Sequence, residues 1–128
     1  MTVSALMTGV DLVDCARIAR MLEEDSSFLD LAFTEREQAE CQSDPVRLSA
    51  RWAAKEAAMK ALGEGIGRIA PLHIEVRNDE RGAPTLYLSD SARVRADELG
   101  ITESSVALSH EGGFAVAFVI MMKGVHGV

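Results

Sequence analysis

The first part of the chain combines short apolar runs with residues that start helices. Residues 6–13 form a mostly apolar run of strand length that contains one charge, Asp11. Asp14 is a favourable N-cap for a helix over residues 15–22, in which the large apolar residues fall on one face. A second short helix is predicted over residues 28–33.

The next segment carries the strongest helix signals of the sequence. Thr34 and Glu37 have the spacing of a capping box, which predicts a helix from residue 35 onward. Asp44 followed by Pro45 combines an N-cap acid with proline at the first helical position. The following sequence is rich in alanine and contains no helix breaker. Residues 45–62 are therefore predicted to form the longest helix.

The second half of the chain alternates between apolar and polar residues with a period of two, which is typical of strands. Two hairpins are predicted, separated by a helix that Ser89 caps. The strands cover residues 73–77, 85–88, 105–109 and 114–120, and the helix ends near residue 99. This order predicts an α+β fold, with a mainly antiparallel sheet packed against one long and several shorter helices. Residues 123–128 are predicted to be a flexible tail.

Length and charge narrow the class of protein. A chain of 128 residues corresponds to a single domain, and 48 % hydrophobic residues suffice for a packed core. The formal net charge of −7 argues against a general nucleic-acid-binding protein. A local basic patch can still bind an anionic partner. We therefore expect no nucleic-acid partner, and any anion-binding surface should be local.

Cysteine content and hydropathy bear on location. Cys15 and Cys41 are the only cysteines, so a disulfide framework is not expected, and a reducing compartment with both thiols as packing residues is predicted. No stretch of 18 apolar residues occurs, and the N-terminus lacks the pattern of a signal peptide. We expect no membrane-spanning segment and a cytoplasmic location.

Asp11 and Lys55 are charges at positions where an apolar residue is expected. An unpaired carboxylate inside an apolar strand has a large desolvation cost. Asp11 would therefore bind a metal ion, form an ion pair, reach solvent or cap the next helix. Lys55 falls within the apolar stripe of the long helix, where it can reach solvent along its apolar stem. That stripe consists of Leu48, Trp52, Met59 and Leu62.

Two further groups have both a chemical and a purely structural interpretation. Glu56 and Lys60 are four residues apart on the long helix, which fits a surface ion pair or a metal-binding carboxylate beside a phosphate-binding ammonium. Ser109 and His110 are adjacent on a strand and point to opposite faces, which argues against a serine-hydrolase dyad. His110 fits a proton acceptor, a phosphate contact or a surface histidine. The histidines and cysteines lack the spacing of a zinc site.

Three motifs occur together in the order of one family. Residues 9–13 with Arg17, residues 51–63, and residues 108–110 followed by Ala115 resemble the bacterial holo-(acyl-carrier-protein) synthases, the short type of 4′-phosphopantetheinyl transferase. The resemblance extends over nearly the whole chain. In the central motif, Trp52 stands where the family usually has phenylalanine.

The resemblance implies a reaction and a metal site. The arm of coenzyme A would be transferred to a serine of an apo acyl carrier protein, with release of adenosine 3′,5′-bisphosphate. Asp11 and Glu56 correspond to the metal-binding positions of the family, with Mg²⁺ as the expected ion and Mn²⁺ as the alternative. Lys60 would hold a phosphate oxygen. Fatty-acid biosynthesis is the expected pathway, and polyketide synthesis stays open.

The same resemblance assigns the remaining site residues. Arg51, Gly65, Ser109 and His110 would line the coenzyme A cleft together with Lys60. The base that accepts the serine proton stays open among His110, Glu56 and a metal-bound water.

The resemblance also implies partners. Arg17 and Arg20, on the first helix, would dock the acidic carrier protein. A short chain of this family would form a homotrimer with active sites between subunits. Two alternatives remain, a catalytically silent binding module of the same fold and an unrelated Mg²⁺-dependent pyrophosphohydrolase. Intact Asp11, Glu56 and Lys60 argue against the first, and the lack of a dense glutamate cluster argues against the second.

Overall fold

The computed structural model describes residues 3–64 and 67–124 and confirms the predicted α+β fold. The strands are β1 (Val3–Asp14), β2 (Ile74–Asn78), β3 (Pro84–Leu88), β4 (Ile101–Glu111) and β5 (Phe114–Gly124). The helices are α1 (Cys15–Glu24), α2 (Phe28–Ala32), α3 (Glu35–Cys41), α4 (Pro45–Ala61) and α5 (Asp90–Leu99), and a 3₁₀ turn covers Pro71–His73. In the part of the chain that the structure describes, no helix is both long and apolar enough to cross a membrane.

The five strands form two antiparallel sheets. The larger sheet has the order β1-β5-β4, and β2 and β3 pair only with each other. Helix α4 packs on one face of the larger sheet, where alternate residues of β5 such as Ala117 and Val119 are fully buried. We call this face the inner face. The opposite, outer face carries no element of the described chain.

Helix α4 approaches β1 closely because residue 9 has no side chain. A Cβ atom at Gly9 would lie only 1.8 Å from the carbonyl oxygen of Ala57. Two positions beyond Gly9, on the same face of β1, lies Asp11, and next to Ala57 on α4 lies Glu56. The close approach therefore brings these two candidate site residues into one region.

The helices begin where the sequence places their caps, with one difference. Asp14 and Asp44 each accept a hydrogen bond from the second residue of their helix, and both bonds of the Thr34 capping box are present. Ser89 occupies the N-cap position of α5 but makes no side-chain hydrogen bond there. Instead, the backbone N–H of Ser91 donates to Nδ1 of His73, at 3.3 Å. An imidazole from a distant segment therefore replaces the predicted cap.

The strands are longer than predicted at both ends of the sheet. The chain reversal at residues 112–113 was predicted, but β4 begins at Ile101 rather than at residue 105. The predicted tail also begins later, because Lys123 pairs with Ile101 and Gly124 with Val3. Residues 125–128 lie outside the described chain. Both cysteines are free and buried, as predicted.

Lys55 is fully buried and makes a buried ion pair instead of reaching solvent. Its Nζ donates to Oε1 of Glu37 at 2.7 Å and to the carbonyl oxygens of Pro71 and Ile74 at 2.8 and 2.6 Å. Neither Lys55 nor Glu37 is exposed to solvent. Glu37 also accepts from the backbone N–H of Val76, at 2.9 Å. The pair therefore joins α3, α4 and β2.

Candidate active site

Three predicted site residues meet where β1 crosses α4. Asp11 comes from the inner face of β1, and Glu56 and Lys60 lie one turn apart on α4. Lys60 Nζ donates to Oδ1 of Asp11 at 3.1 Å and to the carbonyl oxygen of Val10 at 2.9 Å. The ion-pair partner of Lys60 is thus Asp11, not the helical neighbour Glu56 that a simple surface pair would use.

The two carboxylates are in an electrostatically unfavourable state. Burial, followed by the charge and hydrogen bonding of Asp11, raises the pKa of Glu56 to about 7, although Arg17 and Lys60 oppose the shift. When both carboxylates are ionised, Oδ2 of Asp11 is buried and has no hydrogen-bond partner within the described residues. A cation between the carboxylates would supply the missing partner and remove the repulsion.

This donor set fits a hard divalent ion that is only partly bound by protein. Residues 3–64 and 67–124 contain no group of three or more histidine, cysteine, aspartate or glutamate side chains able to hold a metal. Mg²⁺ is commonly held by one or two carboxylates, with waters and substrate phosphates as the other ligands. Asp11 and Glu56 together meet that requirement.

A second part of the site is a cleft of about 380 Å³ at the other end of α4. Arg47 and Arg51 of α4 line it together with Ser109 and His110 of β4. Two guanidinium groups and an imidazole, against the single carboxylate of Glu40, favour an anionic ligand. The structure thus brings Arg51, Ser109 and His110 into one cleft. Gly65, predicted for the same cleft, lies outside the described residues.

His110 lies far from the carboxylate pair. His110 faces Ala115 of β5, whereas Asp11 faces Ala117. Two strand spacings across the sheet and two residues along it place the Cα atoms of Asp11 and His110 about 12 Å apart. His110 is exposed, and its imidazole makes no hydrogen bond within the described chain. Its position suits contact with a long ligand better than proton transfer at the carboxylates.

Arg17 and Arg20 are exposed on α1, which follows β1 directly. The charge of Arg17 lowers the pKa of Glu56, although not enough to offset burial and Asp11. Arg17 Nη1 also lies 3.6 Å from the sulfur of Met21. Arg17 therefore acts electrostatically on the carboxylate pair, and Arg20 is a second exposed cation on the same helix.

The family model described as the 4′-phosphopantetheinyl transferase superfamily matches residues 7–119. This chain belongs to that superfamily. The matched segment contains every candidate site residue named above. The alternative of an unrelated pyrophosphohydrolase is therefore excluded.

Curated relatives share one name. A holo-(acyl-carrier-protein) synthase of Herpetosiphon aurantiacus is 46 % identical over 125 residues, which cover 91 % of this chain and 98 % of that protein. A protein of the same name from Moorella thermoacetica is 38 % identical over 119 residues and covers 91 % of this chain and 93 % of its own length.

Solved structures of the same kind superpose on the fold. The Helicobacter pylori holo-(acyl-carrier-protein) synthase in complex with coenzyme A is 32 % identical, with a TM-score of 0.81, and the match covers 90 % of this chain and 99 % of that chain. A Bacillus anthracis synthase in complex with coenzyme A (3′,5′-ADP) is 33 % identical, with a TM-score of 0.76 and coverage of 94 % and 100 %.

Sequence reasoning missed three polar residues of the cleft, Arg47, Glu40 and Asn78. Arg47 is four residues before Arg51 on α4, so helical spacing could have identified it as a neighbour of Arg51. Glu40 and Asn78 come from α3 and from the end of β2, and no local pattern connects them to the cleft. Only the packing of α3 against β2 brings them there.

Proposed function

We propose that this transferase is a holo-(acyl-carrier-protein) synthase. It transfers the 4′-phosphopantetheine arm of coenzyme A to a serine of an apo acyl carrier protein and releases adenosine 3′,5′-bisphosphate. The observation that carries this function is the pair of carboxylates formed by Asp11 of β1 and Glu56 of α4, with a cleft lined by Arg47 and Arg51 near the other end of α4. A coenzyme A molecule that extends along α4 would present its nucleotide to the cleft and its pyrophosphate to the carboxylates.

Asp11 and Glu56 hold a divalent ion in this proposal, with Mg²⁺ expected and Mn²⁺ as the alternative. The buried, unpartnered oxygen of Asp11 and the raised pKa of Glu56 support it. When bound by these carboxylates, the ion would supply positive charge to the pyrophosphate. Lys60 contacts a phosphate oxygen as a point charge, which requires only that its ammonium move from Asp11 to the substrate.

The cleft binds the phosphates of the nucleotide. Arg47 and Arg51 provide the charge, and His110 and Ser109 border the same space. His110 acts as a contact to coenzyme A rather than as the base, because about 12 Å of sheet separates its Cα from that of Asp11. His110→Ala should therefore raise the KM for coenzyme A more than it lowers kcat. Loss of a general base would instead lower kcat by about 10²- to 10⁴-fold.

Arg17 and Arg20 dock the carrier protein. Both are exposed on the helix beside the carboxylate pair, and an acidic partner complements them although the chain as a whole is acidic. Reversing the charge of Arg20 with Arg20→Glu should raise the KM for the carrier and leave the KM for coenzyme A unchanged, whereas Arg17→Glu should also act on the carboxylate pair, because the charge of Arg17 lowers the pKa of Glu56. The same reversal at Arg93, on α5 and outside the cleft, is a matched control.

The outer face of the larger sheet supports association into a homotrimer. The solvated face of an antiparallel sheet is normally polar. Here, however, Leu6, Val10 and Leu12 of β1 and Phe118 of β5 are 43 to 65 % exposed. Val10 pairs directly with Phe118, so these side chains form one apolar surface. We assign it to contact with further copies of this chain, because no other described element covers it.

Light scattering tests the assembly. The wild-type protein should have the mass of a trimer, and Phe118→Asp should have the mass of a monomer. If the active sites lie between subunits, the monomeric variant should also lose transfer activity. A monomeric wild-type protein with full activity would contradict the assembly but not the reaction.

The reaction itself is tested by intact-protein mass spectrometry of an apo acyl carrier protein incubated with this protein, coenzyme A and Mg²⁺. The carrier should gain the mass of the phosphopantetheine arm. EDTA, Glu56→Gln and a carrier with alanine at the acceptor serine should each prevent the gain. Carrier binding without any mass gain, across a panel of carriers, would support the silent binding module instead.

The proposed function also implies a pathway, and a location is predicted with it. Fatty-acid biosynthesis is the expected pathway, and the panel of carriers distinguishes it from polyketide synthesis. A cytoplasmic location remains a prediction, for which two free cysteines are typical.

A further inference from the structure

One edge of β2 is hydrogen-bonded by side chains rather than by a neighbouring strand. Strand β2 pairs with β3 through its other edge. On the free edge, Val76 donates its N–H to Glu37 and accepts from Arg51 through its carbonyl oxygen, at 2.9 and 2.6 Å. Further along, the N–H of Asn78 donates to Oε1 of Glu40 at 3.3 Å. Acids of α3 and cations of α4 thus alternate along this edge.

The two ion pairs of this edge differ in their surroundings. The Glu37–Lys55 pair is completely buried, and its ammonium has no donor left over. The Glu40–Arg51 pair borders the cleft, and the exposed fractions of the two side chains are 23 % and 6 %. Only the second pair can therefore influence a ligand directly.

Arg51 is fixed through one nitrogen and keeps its other donors free. Its Nη1 carries two hydrogens, and these serve Oε1 of Glu40 at 3.0 Å and the carbonyl oxygen of Val76 at 2.6 Å. Nε and Nη2 have no partner among the described residues. Because the guanidinium is a rigid fork, fixing Nη1 from two directions fixes the orientation of the remaining donors.

We propose that Glu40 is a positioning residue that orients Arg51 for the phosphate-bearing nucleotide of coenzyme A. Glu40 accepts from Arg51 and from Asn78 through the same oxygen, so it connects the guanidinium to the end of β2. Its carboxylate also borders the cleft, but the role proposed here is to hold Arg51. This inference rests on the proposed function, because it takes coenzyme A to be the ligand of the cleft.

The negative charge of Glu40 opposes the binding of a phosphate in the cleft. Burial raises the pKa of Glu40, but the Arg51 and Asn78 hydrogen bonds and the charges of Arg51 and Arg36 outweigh it, and the pKa is lowered. The carboxylate is therefore ionised near neutral pH and repels a phosphate. If repulsion dominated, removing its charge would strengthen binding. If positioning dominates, removing its oxygen weakens binding, and keeping an oxygen without the charge preserves it.

Three variants separate the two effects. Glu40→Ala removes the oxygen and the charge, whereas Glu40→Gln keeps an oxygen that can still accept from Arg51 and Asn78. Asp97→Ala is the matched control, because it removes one carboxylate from an exposed ion pair on α5 that does not border the cleft. The binding of adenosine 3′,5′-bisphosphate is measured by calorimetry, and KM and kcat are measured for transfer.

Positioning predicts that Glu40→Ala weakens binding of the nucleotide about tenfold, which corresponds to one hydrogen bond to a charged group. The KM for coenzyme A should rise by a similar factor, with kcat and the KM for the carrier within about twofold of wild type. Glu40→Gln and Asp97→Ala should bind like the wild type. If Glu40 had only a structural role, Glu40→Ala would lower kcat, and it would lower kcat/KM for coenzyme A and for the carrier together.

Different results would contradict the role of Glu40 and the proposed function. Tighter binding by Glu40→Gln, or unchanged binding by Glu40→Ala, would overturn the inference. Failure of the wild-type protein to bind either adenosine 3′,5′-bisphosphate or coenzyme A would contradict the proposed function instead. If Glu40→Ala does not fold, Glu40→Asp replaces it, because the shorter side chain withdraws the oxygen while keeping the charge. Glu40→Asp should bind more weakly, and wild-type affinity would again overturn the inference.

Discussion

The buried pair of Lys55 and Glu37 makes a quantitative prediction about stability. Lys55→Met keeps an unbranched side chain of similar length and removes the charge and all three donors. Glu37 then remains buried without its cation, and the carbonyl oxygens of Pro71 and Ile74 lose their partner. The substitution should therefore be far more damaging than removal of an exposed lysine.

The expected cost follows from the complete burial of both groups. Removing one partner of a buried ion pair costs about 3–5 kcal/mol. Stabilities of whole domains are about 5–15 kcal/mol, so this is a large fraction of the total. With an unfolding entropy of about 2.1 cal/mol/K per residue, the melting temperature of this 128-residue chain should fall by about 10 to 20 °C.

Urea denaturation followed by circular dichroism measures the change, and a second substitution tests the reason. Glu37→Gln in the Lys55→Met background removes the unpaired charge but keeps an oxygen for the N–H of Val76. It should recover part of the lost stability, whereas Glu37→Gln alone should be destabilising. A Lys55→Met variant within about 1 kcal/mol of wild type, well below the range for buried pairs, would refute the argument. So would a double variant less stable than Lys55→Met.

Three further predictions concern the site. Gly9→Ala should destabilise the fold in thermal melts and lower transfer activity, because its Cβ would overlap the Ala57 oxygen and force β1 away from α4. The pKa of Glu56 is raised to about 7, so its stabilising contribution is complete below about pH 4.5 and is lost as the pH rises through 7. In EDTA at pH 8, Glu56→Gln should therefore be more stable than wild type by about 1–2 kcal/mol, a value reduced for partial exposure, and equal stability would contradict the destabilisation of the Glu56 carboxylate by burial and by Asp11. Mn²⁺ should raise the melting temperature of the wild type but not that of Glu56→Gln, and His110→Ala should keep this metal response, because the imidazole is remote from the ion.

Most of the secondary structure could be predicted because its signals are local. The capping box at Thr34 and the Asp44–Pro45 pair each specify a helix start within a few residues, and both helices begin there. The hairpins follow from period-two patterns with turn residues between them. The ends of β4 and β5 were missed, because polar residues near residues 101–104 pair with β5 without showing an apolar pattern.

The lateral contacts between elements could not be predicted from local patterns. Glu37 has a complete local explanation as the third residue of its capping box, so nothing in the sequence indicates a second role. Its bond to the N–H of Val76 joins residues 39 positions apart. Likewise, the bond between Glu40 and Arg51 depends on how α3 lies against α4 and β2. The resemblance to a family identified Arg51, but not the residue that holds it.

Asp11 and Lys55 show what a local anomaly can and cannot establish. Both are charges at positions that should be apolar, and from the sequence the two signals are equivalent. Hydrogen-bond accounting separates them. An ammonium has three donors, and those of Lys55 are all used by Glu37 and two carbonyl oxygens. Asp11 has one oxygen on Lys60 and one that is buried with no partner in the described chain. A buried charge whose hydrogen bonds are all satisfied requires no ligand, whereas an unsatisfied one indicates a ligand, and this difference assigns Lys55 to the structure and Asp11 to the chemistry.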